Sequence, residues 1–349
     1  MDTFTQGLLG AAAAQAVFAK QLPRAAGVIG FVAAVVPDLD LFLGSSTDPV
    51  ATWLCHRQFT HSLLFIPIGA WLCSLLCIWM KTFKGVRLQL YGAALVGYAT
   101  HAPLDALTSY GTVLLWPFSD RRVAWDVIGI IDPIFTVALL LGVIGATVVR
   151  RAGPSRLALA VAVAYLGFGV WQHQRAVDVQ RQLAQARGHA IGYSRVMPAP
   201  GSLVLWRSVY VTDGRIHVDG VRVPWWDEPL VKPGGSVRLA TFSDVPPAMA
   251  ERDGTRRMFE VFSWFADGLV APVDGEPYTI GDLRYAVEWS GLTPLWGIQF
   301  DPQRSPTPRR WRPQQQSRGD YMRKLWRTLI DGDPGYRPVG EVLPALSRG

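Results

Sequence analysis

Only three cysteines occur in the 349 residues, and none follows Cys77. That excludes a disulfide framework, and everything after Cys77 must fold without one in any compartment. Cys73 and Cys77 stand one helical turn apart in an apolar run, as small packing side chains do. Charge is also scarce, at 17% against about 25% in ordinary soluble proteins, while half the chain is hydrophobic. No GxSxG elbow, phosphate-binding loop or dinucleotide glycine pattern is present, so the common serine-hydrolase and nucleotide-binding chemistries have no sequence support. No internal repeat is visible. The first apolar segment carries Asp2 where a signal peptide would carry basic residues, so Met1 is expected to begin mature sequence.

What the chain has is length of apolar run. Six segments, roughly 4–19, 25–43, 62–80, 88–107, 127–149 and 157–172, approach or reach the ~20 residues that a helix needs to cross a bilayer. At least four are expected to span. The net charge of +7 is distributed as a membrane protein distributes it. The connections 20–24, 81–87 and 150–156 hold eight Lys or Arg, whereas the alternate connections 44–61 and 108–126 hold only Arg57, Arg121 and Arg122. Basic loops stay cytoplasmic, which places the alternate loops and both termini in the periplasm of a bacterial cell. No nucleic-acid partner is expected.

Near Gln172 the composition changes. A polar helical stretch leads into short β-branched and aromatic runs, with the turn signal "TDG" between two of them. The fold class expected is an α-helical multi-pass membrane bundle followed by a smaller β-rich (α+β) soluble domain. Its boundaries are 1–174 for the bundle, 175–300 for the soluble domain and 301–349 for a basic, partly flexible tail.

Ionisable residues at membrane depth are costly, so each one raises a functional question. Here they gather toward one predicted face: Asp38 and Asp40 in "PDLD", His56 and His61 in "HRQFTH", His101 and Asp105 in "THAPLD", and Asp126 and Asp132 around the fifth segment. His101 and Asp105 are four apart, which stacks them on one helical face. Asp38 and Asp40 diverge on a helix and converge in extended chain, and Pro37 favours a break there. Taken singly, each is better explained as a helix cap, a loop acid or a hydrogen-bonded core histidine. Together, Asp38, Asp40, His56, His61, His101 and Asp105 form a mixed imidazole–carboxylate set suited to Zn²⁺, Mn²⁺ or Fe²⁺, with zinc the first choice. An ion with an open position would activate water near neutral pH. His173, His189 and His217 have no such company.

The ordered motifs "MDTFTQGLLGAA", "PDLD", "HRQFTHS", "GYATHAPLDALTSYGT", "LLWPFS" and "IIDPIF" resemble the YdjM-type family of bacterial inner-membrane proteins, described as membrane-bound metal-dependent hydrolases. The likeness runs from Met1 to about Val149 and touches the soluble part at "LVLWRSVYVTDG" and "GDLRYAV". It implies a divalent-metal site on the six residues named above. Members commonly begin D-x-x-T-H, and Gln6 stands here where that His would be. Either that position supports the ligands or this chain has lost one.

The expected function is therefore hydrolysis of a phosphoester or other ester at the periplasmic boundary, with membrane lipid or another amphiphilic ester as substrate. Asp132 is the expected general base, with Asp40 as another candidate, and Arg57 or Arg122 would hold an anionic phosphate. Asp132 beside Pro133 reads equally well as a helix cap. Two rivals remain: a non-enzymatic metal binder, and an envelope protein with a vestigial site. A transport path is disfavoured, because segments 62–80 and 127–149 carry almost no polar group below their outer ends.

Overall fold

The structure is a computed structural model. It describes residues 1–44, 49–78, 85–303, 305, 307–313 and 335–347. The chain divides into two compact units. The first runs to Val170 except for residues 46–53, which group with the second, and the second continues from Trp171.

In the first unit, α1 (Thr3–Phe18) starts where Asp2 accepts a hydrogen bond from the Thr5 amide. Its alanine-rich faces are buried nearly all round. α2 (Ala25–Val35) would stop at Pro37, whose ring cannot donate to the ladder. The chain tightens instead into a 3₁₀ stretch, Val36–Leu43, which carries Asp38 and Asp40. α3 (Pro49–Cys55) and α4 (Ile66–Ile78) are separated by two 3₁₀ turns, Phe59–His61 and Leu63–Phe65. Ser62 caps the second turn by accepting from the Phe65 amide. The helical path bends by 54° at this point. α5 (Arg87–Ala106) stays helical through Pro103, α6 is Pro133–Val149 and α7 is Gly153–Ala186.

Backbone meets backbone where α1, α2 and α5 cross. A Cβ added at Gly97 would lie 2.5 Å from the Gly30 carbonyl oxygen, and one at Gly30 would lie 2.3 Å from that of Gly10. The absence of side chains at these three positions sets how closely the helices approach.

Each of the six expected apolar segments contains helix, and among the described residues two or three pass the length and composition test for a span. Ala25–Leu43 and Gly153–Ala186 have the length and composition to cross a bilayer, and the bent pair Thr52–His61 and Leu63–Leu75 makes a third if it is one broken span. The sixteen residues of α1 cover about 24 Å, short of the ~30 Å hydrocarbon core. α6 has seventeen. α5 has the length, but polar and charged side chains interrupt its apolar run. Part of the basic loop 81–87 and the end of the segment 62–80 lie outside the described residues.

In the second unit, the antiparallel strands β1 (Tyr193–Pro198), β2 (Leu205–Thr212), β3 (Arg215–Arg222) and β4 (Leu230–Arg238) form one sheet in chain order. Asp213 and Gly214 both adopt positive φ, and Thr212 pairs with Arg215 across the resulting tight turn. After the short helices α8 (Pro247–Ala250) and α9 (Thr255–Phe265), a second antiparallel sheet follows. It contains β5 (Val270–Pro272), β6 (Thr279–Asp282), β7 (Gly297–Gln299) and β8 (Arg309–Trp311).

One face of the first sheet is covered by Ala176, Val179 and Leu183 of α7, packed on Val196, Trp206, Val221 and Val231. The other packs Met197, Val209, Ile216 and Val218 against Leu269, Ala271 and Leu283. Arg207 crosses between the sheets fully buried, donating to the carbonyls of Leu283, Trp289 and Gly291.

The end of the chain differs from the tail expected. β9 (Arg337–Pro338) joins the first sheet beside β4, and α10 (Val339–Leu346) packs Val339 and Val342 into the same core as α7. Apolar residues at 339, 342, 343 and 346 give it a buried stripe that its basic surroundings obscure. Most of the arginine-rich stretch lies outside the described residues. α7 likewise fuses the last apolar segment with the polar helical stretch, so no break separates them in the helix.

Candidate metal centre

The 3₁₀ stretch after α2 turns Asp38 and Asp40 to different tasks. Asp38 Oδ2 accepts from Thr3 Oγ1 at 2.7 Å, leaving Oδ1 facing the imidazoles. Asp40 lies behind them. It accepts from His56 Nδ1 at 2.6 Å, from the Arg57 amide at 3.0 Å and from Thr60 Oγ1 at 2.8 Å, and its Oδ2 is 3.2 Å from His61 Nδ1. Because Thr60 gives its proton to Asp40, its oxygen can only accept from His61 Nδ1, 2.9 Å away. His61 therefore carries its proton on Nδ1 and presents the Nε2 lone pair.

His101 is fixed in the same sense. Its Nδ1 lies 2.5 Å from the Ala34 carbonyl, which can only accept, so Nδ1 carries a proton and in the neutral ring Nε2 is the acceptor. The two Nε2 atoms stand 2.9 Å apart. Asp105, one turn beyond His101, brings Oδ2 to 3.4 Å from His61 Nε2 and 3.5 Å from His101 Nε2. Asp38 Oδ1 lies 3.7 and 3.5 Å from the same atoms. Asp38, His61, His101 and Asp105 are all buried and form a group able to hold a metal ion.

Two tests of fit favour an ion. Five of the six donor separations run from 2.9 to 3.7 Å. A regular tetrahedron with 2.0–2.1 Å bonds has edges of about 3.3–3.4 Å. Asp105 Oδ2 is also buried without a hydrogen-bond partner. The other oxygen, Oδ1, accepts from Gln6 Nε2 at 2.8 Å and from the Met1 nitrogen at 2.5 Å. Arg57 Nε is 3.1 Å from Oδ2 as an ion pair, yet neither atom gains a hydrogen bond from it. A buried carboxylate oxygen without a hydrogen-bond partner and two facing imidazole nitrogens make up a donor set that could hold a cation.

Gln6 is fully buried with its amide donating to Asp105, so the residue standing in place of the family's histidine braces a candidate ligand. Arg57 adopts left-handed φ of 63°, unusual for a bulky residue. Its amide donates to Asp40 and its carbonyl accepts from the Val113 amide, which hold it there. Its guanidinium lies 4.6 Å over the Tyr110 ring, and that of Arg122 lies 5.4 Å over the same ring. Arg122 also donates to the Tyr110 and Gly111 carbonyls.

The remaining expected residues fall outside the four-residue group. His56 sits on Asp40, its ring edge-on to those of His61 and Tyr110. Asp132 caps α6: Oδ1 accepts from the Phe135 amide and Oδ2 from the Tyr165 hydroxyl. Sequence reasoning raised Gln6 as a support or a lost ligand, and it missed Thr3 as a brace and the Ala34 carbonyl as the anchor of His101. A backbone carbonyl leaves no residue-type signal.

The family described as YdjM inner membrane protein matches residues 1–176. A curated relative, the inner membrane protein YbcI of Escherichia coli K12, is 30% identical over 115 residues, covering 31% of this chain and 64% of the relative. The match therefore spans just under two thirds of that relative's length. No solved structure matches the chain.

Proposed function

The chain belongs to the YdjM family of inner membrane proteins, and on that premise we propose that it is a membrane-bound, metal-dependent hydrolase. Its ion would be held by Asp38, His61, His101 and Asp105, with zinc the best match to two imidazoles and two carboxylates. The observation that carries this reading is the facing pair of Nε2 lone pairs beside the unpartnered Asp105 oxygen. When bound, such an ion supplies Lewis acidity and activated water.

The chain's own residues supply the rest. Asp40 holds His61 from behind and also holds His56, whose Nε2 is then placed to take or give a proton. This role fits His56 better than Asp132, whose two oxygens are engaged in capping α6 and binding Tyr165. Arg57 and Arg122, flanking the Tyr110 ring, supply positive charge for an anionic phosphate group. The substrate class is a phosphoester or other ester, lipid or otherwise amphiphilic. The basic loops support a multi-pass orientation with this site and the β-rich unit on the periplasmic side.

A second reading, a metal binder without turnover, is favoured by one observation. Four protein donors make a closed tetrahedral set, the pattern of structural rather than catalytic zinc. Arg57 beside Asp105 Oδ2 bears the other way, since its charge competes with an ion for that oxygen and a set of three ligands leaves a position open. Metal analysis of the purified protein, paired with turnover of phosphodiester and carboxylester amphiphiles, decides between them. Bound metal with no turnover that depends on His56 would leave only the binder.

A further inference from the structure

The connection between α5 and α6 carries four consecutive apolar residues, Leu115, Trp116, Pro117 and Phe118, all exposed and all within one turn. Trp116 leans on the Phe59 ring at 6.1 Å, and Phe118 is 82% exposed. A loop bathed in water gains nothing from such a run. It marks a surface that meets something apolar.

The base of the turn is built onto the segment that carries the candidate ligand His61. The Val113 amide donates to the Arg57 carbonyl at 3.0 Å, the Leu63 amide donates to the Leu114 carbonyl at 2.9 Å, and Thr112 exchanges two backbone hydrogen bonds with Val123. On its other side, the Arg57 amide donates to Asp40 at 3.0 Å. Arg57 therefore ties the turn to the 3₁₀ stretch Val36–Leu43. That stretch buries Asp38 and Asp40 and leaves Leu39, Leu41, Phe42 and Leu43 exposed, Phe42 by 84%. It is also the end of Ala25–Leu43, a helical path long and apolar enough to cross a bilayer.

We infer that the turn Leu115–Phe118 is a wedge set into the boundary between lipid headgroups and acyl chains, level with the end of the span at Phe42. Two features select a lipid surface over a protein partner. The exposed side chains of the span, from Val28 and Val32 to Phe42, face lipid in a member of an inner-membrane family, and Arg57 joins the end of that span to the turn through its amide and carbonyl. The apolar run also stops abruptly, with Asp120 and Arg121 exposed just after it, which limits insertion to the depth of the turn itself. An aromatic pair with a cation behind it suits this layer, where rings meet acyl chains and the charge meets phosphate. The wedge holds the segment carrying His56, Arg57 and His61 at the depth of lipid ester and phosphate groups. This rests on membership of the inner-membrane family and not on the hydrolase reading.

The test uses the full chain in phosphatidylcholine–phosphatidylglycerol nanodiscs, with Cys55, Cys73 and Cys77 replaced by alanine. Phe118→Cys, Phe42→Cys and Arg121→Cys each carry a nitroxide at an exposed position. Spin-label collisions with oxygen, which concentrates among acyl chains, are compared with collisions with water-soluble chromium oxalate. Oxygen should prevail at positions 118 and 42 by similar ratios, and chromium oxalate at position 121. If chromium oxalate prevails at position 118, the turn faces water and the inference is overturned. If neither relaxant reaches that label, a protein contact covers it, and if oxygen prevails at 121 as well, the turn lies deeper than the boundary; either result overturns the inference equally. Neither metal nor turnover enters these readings, so a failed hydrolase reading leaves them unaffected.

Discussion

His61 and His101 face each other through their Nε2 atoms at 2.9 Å, and each ring is committed through Nδ1 to an acceptor on its far side. Two lone pairs at that distance repel unless a positive charge lies between them. Either a shared proton or a metal ion satisfies the geometry, and the carboxylates of Asp38 and Asp105 alongside make the second the better match.

The purified protein is accordingly expected to hold a divalent ion that is lost in His61→Ala and His101→Ala and kept in His56→Ala. Elemental analysis after gel filtration reads this directly. Retention of metal by the His61→Ala/His101→Ala double variant would remove the site from consideration.

Asp40→Asn tests the support behind the ligand. The amide can still accept from Thr60, but it no longer fixes the His61 proton on Nδ1 as a carboxylate does. Loss of such an outer partner typically costs 10–100-fold in metal affinity, measurable by competition with a chelating dye. An unchanged affinity would place Asp40 outside the metal's influence.

Asp132→Ala separates a cap from a base. Losing an N-cap costs about 0.5–2 kcal/mol of stability. The variant should melt earlier, bind metal as before and, where turnover is found, retain it. A loss of turnover at full metal loading and normal stability would restore Asp132 as the proton acceptor.

The β-rich unit carries its own pH dependence. His217 stacks on Tyr210 at 5.1 Å, and burial, followed by His189 and Arg187, holds its pKa below the usual 6.5. The unfolded chain therefore takes up this proton first as the pH falls below 6.5. The stability present at neutral pH declines until the native imidazole also titrates, at a slope of up to about tenfold per pH unit. Protection of the β2–β3 amides, taken relative to the intrinsic exchange rate at each pH, should fall accordingly, and His217→Gln should flatten the profile. An equal slope in that variant would assign the effect to other groups.

Much of this architecture was legible because it rests on spacing. The four-residue separation of His101 and Asp105 specifies one helical face, and the Thr-Asp-Gly turn specifies a hairpin. Asp38 and Asp40 were harder. Two residues apart, they are assigned opposite sides of one imidazole by a 3₁₀ path that Pro37 permits but does not dictate. The tautomers of His61 and His101 depend on Thr60 and on the Ala34 carbonyl, a hydroxyl and a backbone atom common to any sequence. The C-terminal helix was obscured by composition: four apolar positions near an arginine-rich stretch do not stand out until a core receives them.

The crossing of Gly10, Gly30 and Gly97 has one more consequence. Gly97 is one turn before His101, and Gly30 is one turn before Ala34, whose carbonyl aims that ring. With no side chain at the contact, the three helices meet backbone to backbone as a close-packed hub. A bilayer thicker or thinner than the protein's own must then be met by tilting at its periphery, where α6 and α7 expose their apolar faces. The donor set is thereby insulated from lipid composition, so its metal affinity should be the same in short-chain and long-chain membranes.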